Sequence, residues 1–100
     1  MKTKNRYTKE TLIRKEVRHD DSNIYSYELI MKENANLSGF RLPLYSIKVS
    51  FTDRKGCTTA ATTKDAFADP GKAILFFDKL VRNLATPIDT AYILEDELEK

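Results

Sequence analysis

The side chains best suited to chemistry in this 100-residue chain are a single histidine, His19, and a single cysteine, Cys57. A thiol becomes a nucleophile only when a neighbouring base takes its proton, and His19 is the sole imidazole able to do so. Their settings give no reason to meet. His19 opens the polar stretch His19-Asp20-Asp21-Ser22-Asn23, which has the composition of a turn, and Cys57 follows a second turn, Asp53-Arg54-Lys55-Gly56. Glu95 and Asp96 are adjacent carboxylates, but neighbours on a helix point in different directions and make a poor acid-base couple. No Gly-rich phosphate loop, no spaced set of metal ligands and no Ser-His-Asp order can be drawn. The expectation is a protein that is not an enzyme and that uses no cofactor and no metal.

Whatever these residues do depends on the elements that hold them, and the most legible element runs from Asp69 to Leu98. Asp69 can accept a hydrogen bond from an amide of a first helical turn, and Pro70 suits the first helical position because its missing N–H is not needed there. Ile74, Phe77, Leu80, Val81 and Leu84 then recur at spacings of three and four, with Lys72, Asp78, Lys79, Arg82 and Asn83 opposite them. Phe76 widens the apolar stripe, so this helix is expected to lie across a sheet as part of the core. Pro87 disfavours helical geometry at Thr86 and ends the helix after Ala85. The same pair can start a second helix, with Thr86 as cap, Pro87 in the first turn and Asp89 in the place of the Glu or Gln of a capping box. Ile88, Ala91, Tyr92, Leu94 and Leu98 follow among Glu95, Asp96, Glu97 and Glu99. These acids crowd a helix end where the macrodipole favours cations. That placement makes Glu95 and Asp96 candidate partner-binding residues, and Asp89 at the start of the same acidic helix is taken with them.

The run Phe77, Leu80, Val81, then Thr86-Pro87-Ile88, then Ile93-Leu94-Glu95-Asp96 resembles the closing signature of a family of short, uncharacterised bacterial proteins. Its members put strands before a helix, then a Thr-Pro-aliphatic turn and a Glu-Asp close. Many carry a His after the Pro-aliphatic pair, where this chain has Asp89. The resemblance implies an architecture and no activity, because the family has none to transfer.

Upstream of the helices the pattern is that of strands. Ile13, Lys15 and Val17 alternate with Leu12, Arg14 and Glu16, so the stretch from Thr11 to Arg18 reads as a strand with poorly distinguished faces, suited to a sheet edge. From Ile24 to Lys32, Tyr25, Tyr27, Leu29 and Met31 share one face, while Ser26, Glu28 and Lys32 share the other with Ile24 and Ile30. Residues 33–39 read as a loop. Tyr45, Ile47, Val49 and Phe51 then oppose Ser46, Lys48 and Ser50 without exception, which marks a sheet with one buried face. After the Asp53–Gly56 turn, Cys57 to Thr63 returns as a strand of small residues, open to close helix approach or to pairing with its copy in another molecule. The fold expected is α+β: an antiparallel sheet of about four strands in sequence order, one helix packing on one face, and a short acidic C-terminal helix docked at the end of the sheet. Tyr45, Ile47, Val49 and Phe51 should be roofed by Ile74, Phe77, Val81 and Leu84.

Length and composition frame the rest. A chain of this size buries one core, so residues 10–100 form a single domain and the basic, apolar-poor residues 1–9 a flexible arm. One cysteine cannot form an intrachain disulfide, and no apolar run approaches a membrane span or a signal peptide, so a cytoplasmic location is expected. The net charge of +2 is uneven: residues 1–20 sum to +4 and residues 86–100 to −4. A nucleic-acid partner, met by the basic arm with Tyr25, Tyr27 or Tyr45 stacking on bases, is the secondary reading. The primary reading is a protein-binding or self-associating accessory module without catalysis. A sheet covered on one face leaves its other face open, Ile24 and Ile30 put apolar groups there, and a homo-oligomer would form through that face or through a sheet edge.

Overall fold

The computed structural model describes residues 8–35 and 41–98. Strands β1 (Thr8–Asp20), β2 (Asn23–Ala35), β3 (Arg41–Thr52) and β4 (Thr58–Phe67) form one antiparallel sheet in sequence order, followed by helices α1 (Pro70–Arg82) and α2 (Pro87–Leu98). This is the α+β architecture expected from the sequence. β1 begins at Thr8, within the stretch read as an arm, and residues 1–7 lie outside the described residues. Of the stretch read as a loop, residues 33–35 continue β2, where Ala35 faces Arg41, and residues 36–40 lie outside the described residues.

Both described turns are tight. Asp21 adopts a φ of 59° between β1 and β2, so His19 and Asp20 belong to the strand and only Asp21-Ser22 turn. Gly56 has a φ of 90° between β3 and β4, a conformation that costs glycine nothing. Asp53 Oδ1 accepts hydrogen bonds from the amides of Lys55 and Cys57 at 2.9 and 3.0 Å, which ties the second turn to its own backbone.

Residues directly opposite in an antiparallel sheet share a face, so the register fixes what each face carries. One face holds Tyr25, Tyr27 and Leu29 of β2, Tyr45, Ile47 and Val49 of β3, and Phe67 of β4, all buried. Helices cover it. α1 contributes Ala73, Phe76, Phe77, Leu80 and Val81, and Ala85 completes the cluster. Phe76 is thus core, while Ile74 and Leu84 pack at its margin. The helix lies over β2, β3 and β4, and α2 lies over β4 and β3 rather than at the end of the sheet. A shortest dimension of 19 Å accommodates this sheet and one helical layer, and no described helix lies on the other face.

The join between the helices departs from the sequence reading. α1 starts as expected, with Asp69 accepting from the Gly71 amide at 3.0 Å. It ends at Arg82, well before Pro87, because Leu84 adopts a left-handed φ of 50°. The Ala85 amide then bonds back to the Leu80 carbonyl at 3.0 Å and the Leu84 amide to that of Val81 at 3.2 Å, the paired bonds of a Schellman turn. Leu at that position sacrifices backbone comfort, since a left-handed non-glycine residue costs roughly 1–2 kcal/mol. Its side chain, packed against the core, offsets the strain. α2 restarts through a full reciprocal box: Thr86 Oγ1 accepts from the Asp89 amide and Asp89 Oδ2 from the Thr86 amide, both at 3.2 Å.

Candidate functional site

The five residues singled out from sequence fall into two groups on opposite sides of the sheet. Ile24 and Ile30 lie on the helix-free face, Ile24 opposite His19 and Thr52, Ile30 between Leu12 and Ser46. Asp89, Glu95 and Asp96 lie on α2, across the thickness of the sheet from them. Asp89 uses one carboxylate oxygen in the cap, whereas Glu95 and Asp96 are exposed. No single surface unites the five.

The helix-free face is more apolar than the sequence alone indicated. The register slips between Leu12 and Arg14, leaving Ile13 as the extra residue of a bulge. Before the bulge Leu12 pairs with Ile30; after it, Lys15, Val17 and His19 pair with Glu28, Ser26 and Ile24. Leu12 and Val17, both exposed, therefore share this face with Ile24 and Ile30. The two adjacent aliphatics Leu12-Ile13, which break strict alternation, were the signal for it. Lys15 and Glu28 pair there at 3.6 Å, so charge interrupts the patch.

The helix-bearing side has a feature of a different kind. β4 is the last strand of the sheet, and along its free edge a groove of about 610 Å³ opens beneath α2. Ala61, Thr62 and Thr63 form its floor, and Thr90, Ala91, Tyr92, Leu94 and Glu95 its wall. No α1 residue lines it, so it faces outward along the edge. Thr90 fixes the wall in place: it is fully buried, and its hydroxyl donates to the Thr86 carbonyl at 2.9 Å. Thr63 Oγ1 donates to the Ile47 carbonyl at 3.2 Å and anchors the floor to β3. From Cys57 to Thr63 this edge has no charged residue, no proline and no bulge. The outward backbone amides and carbonyls of such a strand are a template for one more strand.

Nucleophilic chemistry has no geometry here. Cys57 is exposed beside the last strand and His19 sits in the first. Two strands separate them, on the order of 14 Å at strand spacing, beyond proton transfer. Among the described residues no group of three His, Cys, Asp or Glu is placed to hold a metal ion. The tyrosines named as base-stacking groups are in the core: Tyr25, Tyr27 and Tyr45 are all buried. Tyr27 is a buried phenol at the centre of the sheet. Burial, then the neighbouring Tyr25, push its phenol from 10.0 to about 12, and its hydroxyl donates to the Ala85 carbonyl at 2.8 Å. That bond pins the helix-helix join to the middle of the sheet. A smaller depression between the two turns, bordered by Asp21, Asn23, Asp53 and Arg54, is explained by turn geometry, since Asp53 is spent on its own backbone.

Residues 7–100 match the model of a Family of unknown function (DUF6514), and the chain belongs to that family. No curated protein and no solved structure matches it. No described helix is long and apolar enough to cross a membrane.

Proposed function

For a chain of that family we propose a non-catalytic interaction module that takes up an extended protein strand along the free edge of β4. One observation carries the reading: an edge that is uncharged and regular from Thr58 to Thr63, before Lys64, Asp65 and a register shift, next to a groove walled by α2. Strand addition draws affinity from main-chain hydrogen bonds and selectivity from pockets for alternate side chains. Thr58 to Thr63 offers the first, and the space beside Ala91 and Leu94 offers the second. The single unpaired and exposed Cys57 supports work in a reducing compartment, the cytoplasm. The basic-arm reading as a nucleic-acid binder has lost its stacking groups to the core and has no observation in its favour.

A displayed random-peptide library, selected against the purified protein, tests this. Bound peptides should protect the amides of residues 58–63 from hydrogen exchange. They should lose affinity for an Ala60→Lys/Thr62→Lys variant, whose charges guard the edge without touching the core. Peptides that instead protect the face around Leu12, Val17 and Ile24, or no binders at all, would overturn the proposal.

A further inference from the structure

We infer that the strand β4 accepts is β4 of a second copy, antiparallel about a two-fold axis, giving an eight-stranded sheet across two chains. This rests on the strand-binding reading above and names its occupant. A two-fold interface brings one surface against itself, so that surface must tolerate its own charges and shapes. The run 57–63 does so. Centring the axis on Ala60 places Ala60 opposite Ala60, Thr58 opposite Thr62, and Thr59 opposite Ala61, small uncharged residues throughout. Lys64 then falls beyond the paired run, opposite Gly56 of the copy.

The other edge argues for the same stoichiometry. β1 carries Arg14, Lys15, Glu16 and Arg18 and a bulge at Ile13, features that discourage strand addition. Pairing β4 with β4 leaves β1 on both outer edges, so the assembly closes at two chains. Pairing β4 with β1 of another copy would be head-to-tail and would propagate.

The groove fits this geometry. It has a wall only on the α2 side, and the two-fold supplies the second wall as the copy's α2 on the same face of the joined sheet. Since α2 lies over β4 and β3, a strand spacing of about 4.8 Å puts the two helices on the order of 10 Å apart. Tyr92, 68% exposed on the groove wall, then gains an apolar neighbour. Glu95 meets its own copy across the axis, a repulsion the pairing must carry. It gives self-pairing a signature of its own, because salt or a neutral side chain there tightens a symmetric dimer and weakens capture of a cationic peptide.

Sedimentation velocity from micromolar to millimolar concentration should show a monomer–dimer equilibrium with no larger species. Glu95→Gln should lower the dissociation constant about two- to fivefold, the equivalent of one exposed like-charge pair. Ala60→Lys should raise it about tenfold or more, because the two lysines face each other on the axis. In a Cys57→Ser background, Ala60→Cys should form an interchain disulfide with oxidised glutathione, since opposed residues have Cα atoms about 4.5–5.5 Å apart. Thr62→Cys, facing Thr58 of the copy, should stay reduced, and amide exchange checks that each variant is folded. A folded protein that remains monomeric at millimolar concentration, or a dimer that leaves Ala60→Cys reduced, overturns the inference. Retained peptide capture on β4 in that case leaves the strand-binding reading standing; loss of both removes both.

Discussion

β1 and β4 bound the sheet on opposite sides, and each presents one row of backbone groups that no described strand satisfies. β1 is the longer, charged on both faces and bulged at Ile13, and the helices leave it largely uncovered. An ion pair ties it to them, Arg14 with Asp78 at 3.9 Å, between two half-exposed side chains. β4 is the shorter at ten residues, is built of Thr and Ala as far as Thr63 before Lys64 and Asp65, and lies under α2. Sheets discourage unwanted partners with charge, bulges and irregularity. β1 uses all three, whereas β4 uses none between residues 57 and 63. An edge left plain beside a shaped groove is the one suited to a partner, and the contrast makes the strand-binding proposal more than an appeal to exposed surface.

The contrast can be broken or sharpened by experiment. The largest effect lies between the edges. Phe77 is fully buried against the middle of the sheet, and Phe77→Ala should cost about 3–5 kcal/mol in urea unfolding. Val17→Ala on the exposed β1 should cost less than about 1 kcal/mol. Comparable losses would mean that β1 is held by something other than β2.

Next comes the bond joining the core to the helix-helix turn. Tyr27→Phe leaves the Ala85 carbonyl buried without its donor and should cost about 1–3 kcal/mol. Its pH dependence has a definite sign. Below pH 10 the phenol is protonated in both states and the contribution is complete. Above pH 10 the unfolded chain ionises first, so stability falls as pH rises towards about 12. The Phe variant should lack that alkaline decline, as denaturant midpoints across pH 9 to 12 would show.

Thr86→Ala removes the hydroxyl that receives the Asp89 amide and should cost about 1 kcal/mol. Amide exchange should then quicken in α2 and along residues 59–63 of β4 while β1 is unchanged. Equal acceleration in both strands would erase the distinction between a covered edge and an uncovered one. The smallest effect belongs to Arg14→Ala, about 0.5 kcal/mol or less, because an exposed pair at that distance contributes little.

Much of the architecture was legible because the strongest patterns are periodic. The alternation from Tyr45 to Phe51 matches a strand buried on one face, and the Asp69-Pro70 and Thr86-Pro87 pairs mark two helix starts by local chemistry alone. Leu84 was less legible. It continues an apolar stripe at helical spacing, yet a left-handed turn ends the helix before it, a choice that its packing stabilises. Phe76, which widens the apolar stripe in the sequence, is core as that stripe implies.

The sequence by itself determined the order and type of the elements, since these depend on interactions a few residues apart: alternation, helical spacing, caps and tight turns. Tertiary structure decided what the surfaces became. The bulge at Ile13 put Leu12 and Val17 on one face with Ile24 and Ile30, and the seating of α2 over β4 turned a run of threonines and alanines into the floor of a groove. A groove exists only between elements distant in the chain, and residues 61–63 and 90–95 carry no mark of their meeting until the core has fixed where each helix lies.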